Sequence, residues 1–340
     1  MKLITFTVPC YNSADYMHIC IDSIIAGGGN KVEIIIVNDG SKDSTGSIAD
    51  GYKEKYPDII KVVHQENGGH GEGINQGIRN ATGKYFKVVD SDDWVGVEEL
   101  KALISKLEAL EEKSQPDLIV TNYVYYKKDM GADKVITYKN VFSEGEVIGW
   151  EDTKSFNMSQ YLTLHSCMFK TEILRASGVV LPKHTFYEDN YYVYAPLPLV
   201  EKILYLSLDF YYYLIGRDGQ SVGKDMLVKR HMQQVKVSTL VFEEHNLNEI
   251  KKENKILYKR MYHHLRLMML LATLFTRLND SEETDRINKE MWDRLMEEEP
   301  ALAKKLKYMS PAAFINLPGK SGRVICKIGY NLAHKVVNFN

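Results

Sequence analysis

No run in this sequence reaches the roughly 18 apolar residues a bilayer-spanning helix needs. The most apolar stretch, residues 267–275, is far shorter and reads as a buried helix. Cysteine is scarce. Cys10, Cys20, Cys167 and Cys326 form no Cys-x-x-Cys pair and no zinc-ligand spacing, so they read as buried thiols in a reducing compartment. The apolar start stops at Pro9, too short for a signal peptide, and the expected location is cytoplasmic. Charge of either sign is not in excess: 43 Lys and Arg against 45 Asp and Glu give a net −2, so no global field draws the chain to nucleic acid. Internal repeats and low-complexity segments are also missing. What remains is an ordinary globular composition, 44% apolar and 26% charged, in 340 residues, enough for one large domain or two modest ones. The 22 tyrosines, many beyond residue 120, suit carbohydrate-stacking surfaces and equally suit a core.

The first 100 residues repeat one rhythm. Residues 3–8, 32–37, 60–64 and 84–89 are short β-type apolar runs. A helix follows each of the first three: one from an N-cap at Ser13 to the stop Gly27-Gly28-Gly29, one to about Tyr56, one to about Gly83. Strand, loop and helix in alternation argue for a doubly wound, mostly parallel sheet with right-handed crossovers. All four strands end in polar or small residues: Pro9-Cys10-Tyr11-Asn12, Asp39-Gly40-Ser41, Asn67-Gly68-Gly69 and Asp90-Ser91-Asp92-Asp93. In a parallel sheet these ends share one edge, the edge where open α/β sheets bind ligands. Carboxylates as close as Asp90, Asp92 and Asp93 repel one another unless a cation sits among them, and hard oxygen ligands suit Mg²⁺ or Mn²⁺. The competing reading is a helix N-cap, with Ser91 or Asp92 capping a helix from about Val95 and Glu98 in its first turn. The glycine-rich turn before the third helix offers backbone N–H groups to an anion. It lacks the P-loop lysine and does not follow the first strand, so neither a P-loop nor a dinucleotide fingerprint is present. His70 in that turn reads as a surface histidine, with diphosphate contact the alternative.

Beyond residue 100, strands are expected at 117–126, at 134–141 as an antiparallel ribbon, and at 203–206 and 210–215, with helices at 150–159 and 171–177. From 224 the chain reads as helix at about 224–247, 249–277 and 280–297. Residues 301–340 carry seven Lys and Arg and no acid, after eight acids against three bases in 282–299. In 322–339, Val324, Ile325, Ile328, Leu332 and Val336 fall at helical spacing. Such a basic amphipathic helix either lies on an anionic membrane surface or docks on the body with its basic face solvated.

Val8-Pro9-Cys10-Tyr11-Asn12, Ile36-Val37-Asn38-Asp39-Gly40-Ser41-Lys42-Asp43-Ser44-Thr45, Asn67-Gly68-Gly69, Ala81-Thr82-Gly83-Lys84-Tyr85 and Val89-Asp90-Ser91-Asp92-Asp93 resemble, in order and spacing over about residues 3–95, the family 2 glycosyltransferases of the GT-A fold found in bacterial capsule, wall and exopolysaccharide synthesis. More loosely, Phe186-Tyr187-Glu188-Asp189 resembles the family's acceptor-side Glu-Asp motif. Tyr211-Tyr212-Tyr213 with Arg217 and Gly219-Gln220-Ser221 resembles a Tyr-rich segment of many relatives. The resemblance implies a catalytic domain over 1–222, with a nucleotide-sugar half (1–95) and an acceptor half (96–222), then a helical region over 223–340. It implies a metal-dependent, inverting transfer of sugar from a nucleotide sugar, UDP-sugar being favoured, to a glycan or lipid-linked saccharide. Pro9, Tyr11, Asn12 and Asp39 would hold the base, Asn67, Gly68 and Ser91 would join the donor site, and Asp90 would reach the ribose or the metal. Asp92 would ligate Mg²⁺ or Mn²⁺, Arg217 and His165 would meet the diphosphate, and Asp189 would be the catalytic base. Where many relatives carry Ala-Arg-Asn, this chain has Gly73-Ile74-Asn75, with Arg79 a turn later. No Gln-x-x-Arg-Trp motif marks a processive synthase. Two alternatives stay open: a non-catalytic relative that binds nucleotide sugar or glycan, and a sugar-nucleotide nucleotidyltransferase, whose glycine-rich N-terminal loop with Arg and Lys is missing here.

Overall fold

The computed structural model describes residues 2–127, 131–216, 224–279, 281–309, 312–317, 321–328 and 330. The chain divides into two compact units, residues 1–215 with 254–257, and residues 216–253 with 258–340.

In the first unit β1 (Ile4–Cys10), β2 (Val32–Asp39), β3 (Ile60–Gln65) and β4 (Tyr85–Val88) alternate with α1 (Met17–Gly28), α2 (Thr45–Lys55) and α3 (His70–Asn80). Then come β5 (Trp94–Val95), α4 (Val97–Ala109), β6 (Leu118–Lys127), β7 (Gly131–Ile136), β8 (Val147–Ile148), β9 (Cys167–Lys170), α5 (Thr171–Ala176), α6 (Asp189–Tyr194) and β10 (Ile203–Ile215). The strand order is β3-β2-β1-β4-β9-β6-β10-β5, with β7 on β6 and β8 on β10. The first four strands are parallel, as their alternation with helices dictates. β9 is antiparallel to both β4 and β6, so the sheet is mixed beyond that point. β1 is buried along its whole length, which is why it reads as an apolar run and not as an alternating one.

Several local expectations shift. β1 does not stop before Pro9 but runs through it, pairing Pro9 with Val37. Thr7 turns its carbonyl toward Val89, and Pro9, two residues on, faces that same side after β4 has ended, so its missing N–H costs no ladder bond. α1 begins at Met17, not at Ser13, and the Ser13 hydroxyl bonds the Ser91 hydroxyl at 2.8 Å. Nor do Ser91 or Asp92 cap a helix: Trp94 and Val95 pair with Tyr212 and Tyr211, and α4 starts only at Val97. The expected helix at 150–159 is one 3-10 turn, Trp150–Asp152. There the Thr153 hydroxyl takes the Trp150 carbonyl and the Lys154 amide leaves for Val141. The two strands expected after Lys202 are the single β10, bulged around Asp209.

The second unit holds α7 (Lys224–Lys229), α8 (His231–Glu243), α9 (Leu247–Glu253), α10 (Lys255–Leu278), α11 (Glu282–Glu298), α12 (Pro300–Tyr308) and α13 (Ala312–Ile315), with a further helical stretch at 321–328. The long helices expected here are cut by side-chain caps. Asn246 accepts the Asn248 amide at 3.0 Å, and Asn254 accepts the Ile256 and Leu257 amides at 3.0 and 2.9 Å. α10 buries Met261, Leu265, Met268, Met269 and Ala272, and Trp292 of α11 donates its indole N–H to Thr273. In residues 321–328 the buried positions are Gly322 and Cys326, while Val324, Ile325 and Ile328 are 54%, 37% and 54% exposed.

Candidate active site

The loops after β1, β2, β3 and β4 meet, and they are tied by side chains. Asn12 takes a left-handed conformation with φ 50°. Its side-chain oxygen accepts the Lys42 amide at 2.8 Å, and its own amide donates to Ser41 at 3.0 Å. Tyr11 beside it is 49% exposed, an aromatic face open to a ligand. Asp39, buried at the end of β2, accepts Gln65 Nε2 at 2.6 Å and the Gly68 and Gly69 amides at 2.7 and 2.8 Å. Asn67 donates to the Asp39 carbonyl at 2.9 Å. Asp39 therefore organises the glycine turn, whose Gly69 sits at φ +83°, a conformation that favours glycine.

After β4, Asp93 is fully buried and accepts the Tyr211 hydroxyl at 2.6 Å and the Leu214 amide at 2.8 Å. Burial, then repulsion from Asp90 and Asp92, pushes its pKa well above the ordinary carboxylate value. Asp90, Asp93 and His165 each offer a ligand atom within 4.8 Å of the others. Burial, with Lys87 and His70 nearby, pulls His165 down to about 4 against the attraction of Asp90, so its ring is neutral at pH 7. Carboxylates with a neutral imidazole form a donor set that fits a hard or borderline divalent cation. Asp92 is half-buried beside that cluster and not a member of it.

Lys87, at 1% exposure, lies under the site. Its ammonium donates to the Leu164, His165 and Cys167 carbonyls at 2.7, 2.7 and 3.1 Å and sits 5.1 Å from the Tyr211 ring centre. Burial pulls its pKa down to about 7. It fixes the loop that carries His165, whose ring packs edge-on against Tyr211 at 4.9 Å and tilts over Tyr213 at 4.7 Å.

The segment before α6 closes the other side. His184 and Tyr187 are left-handed, with φ 49° and 69°, and with Asn12 they are the described non-glycine residues at positive φ. Such strain gathers at functional sites. The His184 amide bonds the Gly68 carbonyl at 2.9 Å. Asp189 opens α6, and its pKa is raised to about 7 by burial and then by Glu188. His70 spans the gap: Nε2 lies 2.8 Å from Asp90 Oδ1, and Nδ1 lies 2.8 Å from Glu188 Oε1. Burial opposes charge on this ring, yet Asp90 and then Glu188 hold its pKa well above 6.5.

The structure thus brings together Pro9, Tyr11, Asn12, Asp39, Asn67, Gly68, Asp90, Ser91 and Asp92 on one edge, with His165 and Asp189 facing them. Arg217, and Gly219 to Ser221, lie outside the described residues. Arg79 does not stand in for the missing arginine, since it pairs with Glu72. His70 is not the surface histidine its turn suggests. Glu188 and Lys87 are further site residues the sequence pattern passes over. A lysine inside the apolar run of β4 was the available signal for one, and the carboxylate preceding Asp189 for the other.

Residues 5–162 match the model of the glycosyl transferase family 2. The glycosyltransferase GlyA of Streptococcus pneumoniae is 30% identical over 229 residues, 64% of this chain and 31% of GlyA, so the chain spans about a third of that relative's length. EpsH of Bacillus subtilis, a candidate glycosyltransferase by its description, is 26% identical over 74% of this chain and 70% of its own. Among solved structures, S. aureus TarS 1–349 in complex with UDP-GlcNAc superposes with a TM-score of 0.68 at 19% identity, covering 97% of this chain and 92% of that one, which establishes a shared fold. Residues 5–162 of this chain are a domain of the glycosyl transferase family 2.

Proposed function

We propose that this protein transfers a sugar from a nucleoside diphosphate sugar, UDP-sugar first among them, to a hydroxyl of a glycan or lipid-linked saccharide, in a single inverting displacement. The observation that carries this reading is the meeting of the Asp90–Asp93 turn with Asp189 across one cleft edge, bridged by His70. In the reaction the acceptor oxygen forms a bond to the anomeric carbon as that carbon's bond to the diphosphate breaks. The acceptor proton passes to Asp189. A carboxyl with a pKa of about 7 is matched to that task, and general-base help of this kind contributes about 10²–10⁴ in rate.

On the donor side, Tyr11 presents its exposed ring to the base. Asp39 Oδ2 receives the Gly69 amide, and a carboxylate oxygen can accept a second donor, here a base N–H. Pro9, Asn12, Asn67, Gly68 and Ser91 shape the loops around the nucleotide, and Arg217 contacts its diphosphate. Asp90 and Asp92 would hold Mg²⁺ or Mn²⁺, with Asp93 and His165 alongside. When bound, the ion supplies Lewis-acid stabilisation of the diphosphate's charge. The outward apolar side of residues 321–328, in a segment rich in Lys and Arg, supports peripheral contact of 322–339 with the inner face of the cell membrane.

The test is a melting-temperature panel of UDP, GDP, dTDP, ADP and CMP, each with Mn²⁺, Mg²⁺ or EDTA. A ligand that binds only the folded state must raise the midpoint. Stabilisation by UDP that disappears with EDTA is expected. No stabilisation by any nucleotide would overturn the donor site and leave a glycan-binding relative.

A further inference from the structure

We propose that His70 is a positioning residue that couples the donor side of the site to the acceptor side, orienting Asp90 through Nε2 and Glu188, the neighbour of the base Asp189, through Nδ1. This rests on the transferase reading and adds to it a residue for which the family-like motifs supply no role.

The geometry is specific. The two carboxylates come from turns 20 and 118 residues away in sequence, and each lies 2.8 Å from one ring nitrogen. The ring cannot drift, because its backbone is the first residue of α3 and the preceding glycine turn is pinned by Asp39. The Glu188 side chain is 2% exposed, so little water competes for it. One turn further along α3, Asn75 exchanges two hydrogen bonds with Leu181, both 2.9 Å, one donated by Nδ2 to the Leu181 carbonyl and one accepted from the Leu181 amide. α3 is therefore built to receive the 181–188 segment, and His70 is the end of that contact nearest the chemistry.

The residue type follows from the task. Bridging two carboxylates on opposite sides needs hydrogen-bonding atoms at opposite ends of a short rigid group. Imidazole has them; Asn and Gln carry both N–H groups at one end, and Lys is a single point on a flexible stem. Without the bridge, Asp90, Glu188 and Asp189 repel one another, and the start of α6 loses its reference to the donor. Misplacing a reacting group by about 1 Å costs on the order of 10² in rate.

The experiment compares the parent protein with His70→Ala, His70→Gln and Asp189→Asn. Binding of UDP with Mn²⁺ is measured by calorimetry, and turnover by release of UDP from UDP-GlcNAc and UDP-glucose, with the GDP and dTDP counterparts run alongside. The expected result for His70→Ala is a kcat lower by about 10² with UDP affinity nearly unchanged. Added free imidazole restores part of that kcat, and restores nothing to Asp189→Asn. His70→Gln, unable to reach both carboxylates, stays low. A His70→Ala protein that turns over like the parent overturns the proposal. So does a loss that imidazole does not relieve and that runs parallel to a loss of melting temperature, since that is a folding defect. A parent protein that neither binds nor releases any nucleotide overturns the transferase reading itself, and this role with it.

Discussion

Asp189 is a carboxyl whose surroundings set when it can work. Burial and the adjacent Glu188 raise it to about 7, so the proton it must be free of is still held over much of the acidic range. The sign is fixed by this: below about 7 the group is protonated and cannot accept the acceptor's proton, and above it the base is available. We expect kcat/KM to climb with pH and to level off past the Asp189 pKa, and Asp189→Asn to lose that climb together with about 10²–10⁴ of the rate while still binding nucleotide. A flat profile in the parent protein would remove the base assignment. Asp92 and Asp93 can be separated in the same way. Asp93 is engaged by Tyr211 and Leu214 at 2.6 and 2.8 Å, and its raised pKa favours a neutral group there. Asp93→Asn should therefore keep Mn²⁺-dependent UDP binding in calorimetry, and Asp92→Asn should lose it. The reverse outcome would centre the metal on Asp90, Asp93 and His165. None of this was legible residue by residue. A run of Asp, Ser, Asp, Asp does not say which carboxylate faces the cleft and which is sealed under a tyrosine that arrives 118 residues later.

At the scale of elements, the site depends on how closely α3 lies on β1. A Cβ placed on Gly77 would come 2.3 Å from Thr7 Oγ1 and 2.5 Å from Thr7 Cβ, and both are in the core of the sheet. Gly77→Ala should destabilise by about 1–3 kcal/mol through overpacking, read from urea unfolding. Adding Thr7→Ala should recover much of that loss, because the buried Thr7 hydroxyl has no hydrogen-bond partner among the described residues. Glu33 on β2 makes a second such tie, accepting Thr5 at 2.7 Å and the Thr82 amide and hydroxyl at 2.8 and 2.9 Å, with Lys61 paired outside. Burial opposes its ionisation, but Lys61 and these donors lower its pKa below 4.5. Its contribution is thus present above the unfolded value and lost as pH falls through the lowered folded one. The stability gap between the parent and Glu33→Gln should narrow on acidification; a gap independent of pH would contradict it. The alternation of strand and helix was readable because each of these strands lies between helices and is apolar throughout. The bulge in β10 was not, since Ser207 and Asp209 interrupt the local pattern while Asn122 of β6 holds both of them from across the sheet, at 3.4 and 2.9 Å. His70 escaped notice for the same reason: its meaning lies in partners that only the folded sheet brings near.

For the molecule as a whole, sequence pattern marked the change from an alternating half to a helical half, because period and charge both change along the chain. It did not say which side of the last helix would be free. Apolar spacing in a basic helix ordinarily means that the apolar face is the docked one. Here Cys326 and Gly322 face inward, and Val324, Ile325 and Ile328 face out. Phe314 and Leu317, at 67% and 41% exposure, lie just before them in sequence, and residues 301–340 hold seven basic residues and no acid. Apolar side chains among fixed positive charge match an anionic bilayer surface, where burial of the one and attraction of the other add. Peripheral attachment should therefore appear as co-sedimentation with vesicles of phosphatidylglycerol and phosphatidylcholine, weaken in high salt, and vanish with phosphatidylcholine alone. Substituting Val324 and Ile328 together by Glu should abolish it with the melting temperature unchanged, because both side chains are already more than half exposed and leave no cavity. If the vesicles bring nothing down, while sedimentation velocity shows the parent self-associating and this variant monomeric, the face belongs to a second copy of the chain and the membrane reading is wrong.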